Sequence, residues 1–237
     1  VTDSEVRAAI TAERTDLAEV LAGLDADAWD ARSLCRGWRV REVVAHITLP
    51  YRLSEARFAL DMLRAGGRFH RLADRAARRD AAALTPEDLL KTLWDNVAHP
   101  WTPPGGGLAG ALSHDVVHGL DITVALGLDR KVPEDRLRIV LDAVNPQSLK
   151  FFGVDLDGIE LRAEDLDWSY GSGEVVRGAA QHLLLVLCGR ALPDGALLGD
   201  KAKRFTWSGQ HRRHRMQLPH PVQAGFGDHR TGPRHTA

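Results

Sequence analysis

Apolar residues recur at helical spacing through the first half of the chain. Ile10, Leu17, Val20, Leu21 and Leu24 trace one stripe, and Glu5, Arg7, Glu13, Arg14, Asp16 and Glu19 fall largely outside it, so residues 4–24 read as an amphipathic helix. Residues 25–33 read as a polar connection carrying Trp29. A second helix opens at Trp38 and runs through Val40, Val43, Val44 and Ile47. Pro50 lacks a backbone donor, so a kink or break is expected near Thr48 and Leu49, with helix resuming over 51–63 until Gly66-Gly67. Thr85-Pro86-Glu87-Asp88 is a sharp helix start: threonine caps, proline fits the first turn, and Asp88 occupies the capping-box position. Leu89, Leu90, Leu93, Trp94 and Val97 supply the buried face of that helix. Residues 99–107 hold three prolines and three consecutive glycines and must be a loop. A last long helix spans about 108–126 and stops at Gly127. Four amphipathic helices in this stretch predict a helical bundle.

Beyond Gly127 the texture changes. Residues 133–144 give one more helix, ended by Asn145-Pro146. Residues 159–162 and 166–169 alternate like short strands, and Gly171-Ser172-Gly173 is a turn. Residues 175–189 read as a strongly apolar helix, and 205–207 as a final strand. The resulting division is 1–127 as the bundle, 128–209 as a small α/β domain, and 210–237 as an irregular or disordered tail rich in His, Arg, Gly and Pro.

Composition narrows the function classes. Hydrophobic residues make up 44% of the chain, and 31 basic residues nearly cancel 32 acidic ones. That balance lacks the positive field that nucleic-acid binding needs, and the short arginine runs have no interleaved aromatic residues for base stacking. No apolar stretch in the second half approaches the length of a membrane span. Two cysteines, Cys35 and Cys188, make no disulfide framework, and the first residues do not form a signal peptide. A cytoplasmic protein without membrane or nucleic-acid partners, monomeric or homodimeric, is the expectation.

The strongest local chemical signal is Ser113-His114-Asp115-Val116-Val117-His118-Gly119-Leu120-Asp121. Residues four apart share a helical face, so His114 and His118 can aim their imidazoles at one point. A third ligand must come from another element. His46, in the apolar run Val43-Val44-Ala45-His46-Ile47, is the best candidate, because a buried imidazole needs a partner for its polar atoms. Asp115 and Asp121 are candidates to fix the ligand tautomers. The spacing alone does not settle the matter, because it also accommodates one buried histidine bonded to an acid and two surface ones. Cys35, beside Arg36, is read as a packing residue rather than a nucleophile, and no nucleophile is assigned. Cys188 reads as core, and Trp29 and Trp38 as packing that positions the loop before the second helix.

Several features in order resemble the DinB/YfiT-like metalloenzymes, and in particular the mycothiol-dependent maleylpyruvate isomerase family. They are Leu24 with Trp29, the segment Ser33-Leu34-Cys35-Arg36-Gly37-Trp38 leading to His46, His114 to Asp121, and Gly171-Ser172-Gly173 followed by Leu183 to Arg190. The resemblance implies a mainly α fold, with a DinB-like N-terminal four-helix bundle and a smaller C-terminal α/β domain. It implies a divalent metal on His46, His114 and His118, zinc first and nickel or another first-row ion next. It further implies a metal- and thiol-dependent isomerase or transferase using mycothiol or another low-molecular-weight thiol on a small-molecule substrate. A metal-dependent hydrolase, or a non-catalytic metal-binding or ligand-sensing module, is the alternative. Arg177 and Arg190 are candidates to hold the thiol or an anionic substrate. His114 departs from the isomerase pattern, which has glutamate there; the exchange removes a negative charge from the ion's surroundings and sets maleylpyruvate itself in question.

Overall fold

In the computed structural model the described residues are 1–207, so the segment read as a tail lies outside them. The first helix, α1 (Asp3–Ala22), is capped by Thr2 in a reciprocal box with Glu5. The expected connection after it contains a short helix, α2 (Ala26–Asp30), because the Asp25 side chain accepts the Ala28 N–H and so caps a new turn. Helix α3 (Val40–Ile47) follows and stops at Thr48, where the break was expected; α4 (Leu49–Arg52) then starts with proline in its first turn. Ser54 caps α5 (Glu55–Arg64), so the 51–63 stretch is two helices rather than one.

Helix α6 (Phe69–Ala83) has no counterpart in the periodicity reading. Its buried face is Leu72, Ala73, Ala76, Ala77 and Ala81, mostly alanine, which gives little hydrophobic contrast in sequence but lets the helix approach α3 closely. Helix α7 (Pro86–Trp94) has the capping box of Thr85 and Asp88. Helix α8 (Gly107–Leu126) ends at Gly127, whose φ of +68° is the left-handed conformation glycine adopts without steric cost. Helices α1 and α8 pack together, α7 lies against α1 and α3, and α3 also contacts α8. This is the helical bundle.

The second part begins with α9 (Glu134–Asp142) and α10 (Pro146–Phe152). Asn145 was read as a terminator, but its side chain accepts from the backbone of Gln147 and Ser148 and starts α10. Strands β1 (Ile159–Ala163), β2 (Ser169–Gly171) and β3 (Glu174–Gly178) form a sheet in the order β2-β1-β3, antiparallel on one side and parallel on the other. The stretch 175–189, expected as one helix, therefore begins as a strand: Val176 is fully buried beside Leu161, and only from Ala180 does α11 (Ala180–Leu187) take over. A two-stranded pair, β4 (Leu192–Pro193) with β5 (Thr206–Trp207), completes the described chain.

The mainly α architecture, a helical bundle followed by a smaller region of strands and helix, is thus present. One apolar cluster joins Leu112, Val116 and Leu120 of α8 to Val140, Leu161, Val176 and the buried leucines of α11. A second gathers Leu17, Leu21, Trp29, Trp38, Val43, Val44, Leu89, Leu93 and Ile122 inside the bundle. Because α8 contributes to both, its inner positions are fixed from two sides. No helix among the described residues is long and apolar enough to cross a membrane.

Candidate metal centre

Helix α3 buries seven of its eight residues, so its register is set by packing and His46 is delivered to the bundle interior at 3% exposure. His114 and His118 stand one helical turn apart on α8 and face it. His46 Nε2 and His114 Nε2 are 3.2 Å apart. The three rings stand 4.9–5.1 Å apart by their centroids, and one nitrogen from each lies within 4.8 Å of the others. Two nitrogens on a tetrahedral zinc at about 2.0–2.1 Å would be about 3.3 Å apart, so the His46–His114 spacing fits a shared ion.

The other ring nitrogens are committed elsewhere. His114 Nδ1 lies 3.0 Å from Asp115 Oδ1, and His118 Nδ1 lies 3.0 Å from Asp121 Oδ2. With a proton on each Nδ1 facing a carboxylate, His114 Nε2 and His118 Nε2 present lone pairs. A proton shared between His46 Nε2 and His114 Nε2, 3.2 Å apart, or a cation among all three rings satisfies those lone pairs, and the three-nitrogen donor set suits a divalent metal. Burial pushes His46 well below the ordinary imidazole range, and the neighbouring His118 and His114 push the same way. Burial takes His118 down to about 4 against the opposing pull of Asp121. Both are therefore neutral, the form that ligates.

Each aspartate has its own cation. Arg14 Nε donates to Asp115 Oδ2 at 2.7 Å with neither side chain more than 1% exposed. Arg190 donates from Nε and Nη2 to the two oxygens of Asp121, at 3.0 and 2.8 Å. Burial opposes ionisation of Asp121, but Arg190 and then His118 outweigh it and hold the carboxyl far below its usual range. Burial likewise opposes ionisation of Asp115, and His114 and Arg14 overcome it. Cys35 Sγ donates to Asp121 Oδ2 at 2.9 Å and sits 3.6 Å from His118 Nδ1. Burial, reinforced by Asp121, pushes that thiol well above its ordinary value, so it rests as a neutral S–H.

Residues 10–100 match the family model described as the mycothiol maleylpyruvate isomerase N-terminal domain. The matched stretch, less than half of the chain, is thus similar to that family's N-terminal domain. Two solved structures are similar to it along nearly their whole lengths: the crystal structure of the mycothiol-dependent maleylpyruvate isomerase, with a TM-score of 0.52, and a histidine-to-alanine mutant of that protein, with 0.53. Each is 15% identical, with 94% of this chain and 97% of the other covered. At that identity the likeness concerns the fold. Among curated proteins none matches the chain.

Within this fold, the three histidines border a cavity of about 460 Å³. Arg190 also borders it. Arg177 does not; it is exposed on β3, where its backbone pairs with Leu198. Sequence reasoning missed Arg14, which the stripe of α1 placed toward solvent although it is 0% exposed. The pairing is nonlocal, between α1 and α8, so no local spacing signals it. Trp101, expected only as part of a loop, packs its ring edge-on against His114, and Trp38 lies 5.2 Å from His46.

Proposed function

We propose that this chain is a metal-dependent enzyme that binds one divalent ion, zinc first, on His46, His114 and His118, and acts on a small molecule with a low-molecular-weight thiol such as mycothiol. The convergence of three imidazoles, two of them held by aspartates, supports the reading most directly. When bound, the ion would supply Lewis acidity that lowers the pKa of such a thiol, so that its sulfur attacks an electrophile near neutral pH. Three protein ligands are the number found in catalytic rather than structural zinc sites.

The protein's own groups do the rest. Asp115 and Asp121 hold the rings of His114 and His118 in one tautomer and one orientation. Arg14 and Arg190 keep those carboxylates ionised in a buried setting. The apolar lining lowers the local polarity beside the histidines, which strengthens electrostatic interactions there. Cys35 is protonated and tied to Asp121, so the attacking sulfur belongs to an added thiol.

Metal analysis of purified protein beside the His46→Ala/His114→Ala/His118→Ala variant tests the site, with about one equivalent expected in the parent and none in the variant. Equal metal in both sinks it. A thiol added to cobalt-substituted protein should change its visible spectrum; no change with any cellular thiol turns the reading toward hydrolysis or a structural ion.

A further inference from the structure

Resting on that reading of the site, we propose that the substrate held over the histidines is apolar and uncharged along its body, with at most one anionic group, placed at the histidine end. The cavity volume of about 460 Å³ is that of an ordinary small-molecule site. Its walls are hydrocarbon: Leu49, Phe58, Phe69, Val117, Val144 and Leu184 face it from α4, α5, α6, α8, the end of α9 and α11. Among the described residues that line it, Arg190 is the single lysine, arginine, aspartate or glutamate.

The charge of that cation is already matched by a buried carboxylate. Its Nε and Nη2 are on Asp121 and its Nη1 donates to the Cys188 carbonyl at 2.7 Å. Ser113, the hydroxyl nearest the histidines in sequence, donates to the Ala109 carbonyl at 2.7 Å. A second carboxylate on a ligand would enter a hydrocarbon wall with no cation to meet it, and an unpaired buried charge is strongly disfavoured. A dicarboxylate such as maleylpyruvate therefore fits poorly, whereas an aromatic or branched aliphatic body fits well. This agrees with a ligand set of three histidines, which has no carboxylate to offset the charge that an ion would present to a single anionic head.

Displacement of neutral N-phenyl-1-naphthylamine fluorescence from metal-loaded protein tests the idea with two competitors sharing a benzoate head. 4-tert-Butylbenzoate should displace the probe at a concentration roughly tenfold or more below that of terephthalate, whose far carboxylate must enter the hydrocarbon wall. Equal potency, or terephthalate the stronger, overturns the proposal. Ala109→Trp on α8 and Val144→Trp after α9, both half-buried on the wall, should each weaken probe binding by roughly tenfold through filling the cavity. Unchanged probe affinity in both variants, or no probe binding to the parent, also overturns it. The competitor ranking is repeated on chelator-treated protein and metal content is measured separately, so a protein that ranks the acids as stated yet holds no metal defeats the metal reading and not this one.

Discussion

Replacing Arg14 with methionine isolates the buried ion pair behind His114. Arg14 is 0% and Asp115 1% exposed, and the Nε–Oδ2 distance is 2.7 Å. Arg14 also donates from Nη1 to the His99 carbonyl at 2.7 Å, and its guanidinium lies 5.4 Å from the centre of the Tyr51 ring. Methionine keeps most of the hydrocarbon volume and removes the charge, leaving the Asp115 carboxylate buried with only His114 Nδ1 beside it. Breaking a buried pair in this way costs about 3–5 kcal/mol, because the surviving ion keeps its desolvation penalty. For a chain of this size about 2–4 °C of melting temperature accompanies each kcal/mol, so a fall of roughly 6–20 °C is expected. The decisive comparison is the double variant Arg14→Met/Asp115→Asn, in which no unpaired charge remains. Calorimetric melts of the parent, both single variants and the double variant at pH 7 give the coupling, which should exceed about 1.5 kcal/mol. If the two single losses simply add, the pair is not what holds Asp115 in place, and the argument that Arg14 supports His114 fails.

Three further outcomes follow from the same geometry. Asp121→Ala should weaken metal binding by about 10–100-fold, measured by competition with a chelator, because His118 loses the acceptor that fixes its Nε2 toward His46 and His114. Chelator-treated protein should lose stability as pH falls from about 6.5 toward 4. His118 binds its proton near 6.5 when unfolded but only near 4 when folded, so the unfolded state takes up more protons across that window. Each such histidine contributes a slope of up to about 1.4 kcal/mol per pH unit, and urea melts at pH 7, 6 and 5 should show it flatten in His118→Gln. Gly173→Ala should destabilise the sheet: φ there is +129°, and a Cβ would come within 2.3 Å of the Gly158 carbonyl. A melt indistinguishable from the parent's would mean that turn moves freely.

The bundle was legible where its signals are local. The capping box at Thr85, the proline break before α4 and the glycine stop after α8 each act through one or two neighbouring residues, and each appears where the sequence puts it. Helix α6 was invisible because an alanine face buries well without standing out from its polar surroundings. Strand β3 was merged with α11 because Val175 and Val176 continue an apolar run, and only pairing with β1 separates them. Local spacing paired His114 with His118, but bringing His46 to the same point depends on how α3 packs against α8. Glu13 shows the reverse error. It stands off the apolar stripe of α1, yet it is 0% exposed, because Arg130 and Arg136 reach it at 2.8 and 2.9 Å. A polar residue is assigned to solvent by pattern alone, and only a nonlocal cation can reverse that.

The charge arrangement around the histidines connects the site to its selectivity. Both carboxylates near the histidines lie behind the rings, and each is matched by one arginine, so the pairs Asp115–Arg14 and Asp121–Arg190 are nearly neutral as units. Had His114 been a glutamate, as in the isomerase pattern the chain otherwise resembles, one negative charge would stand directly at the ion and partly cancel it. With histidine there, an ion would keep its full charge toward the cavity, while the described wall offers no charge beyond Arg190, which is paired with Asp121. Such a site attracts one anionic atom strongly and has no means of holding a second. A thiol sulfur paired with an apolar electrophile meets both conditions, and it is the combination in which the departure at His114 and the hydrocarbon lining have a common chemical reason.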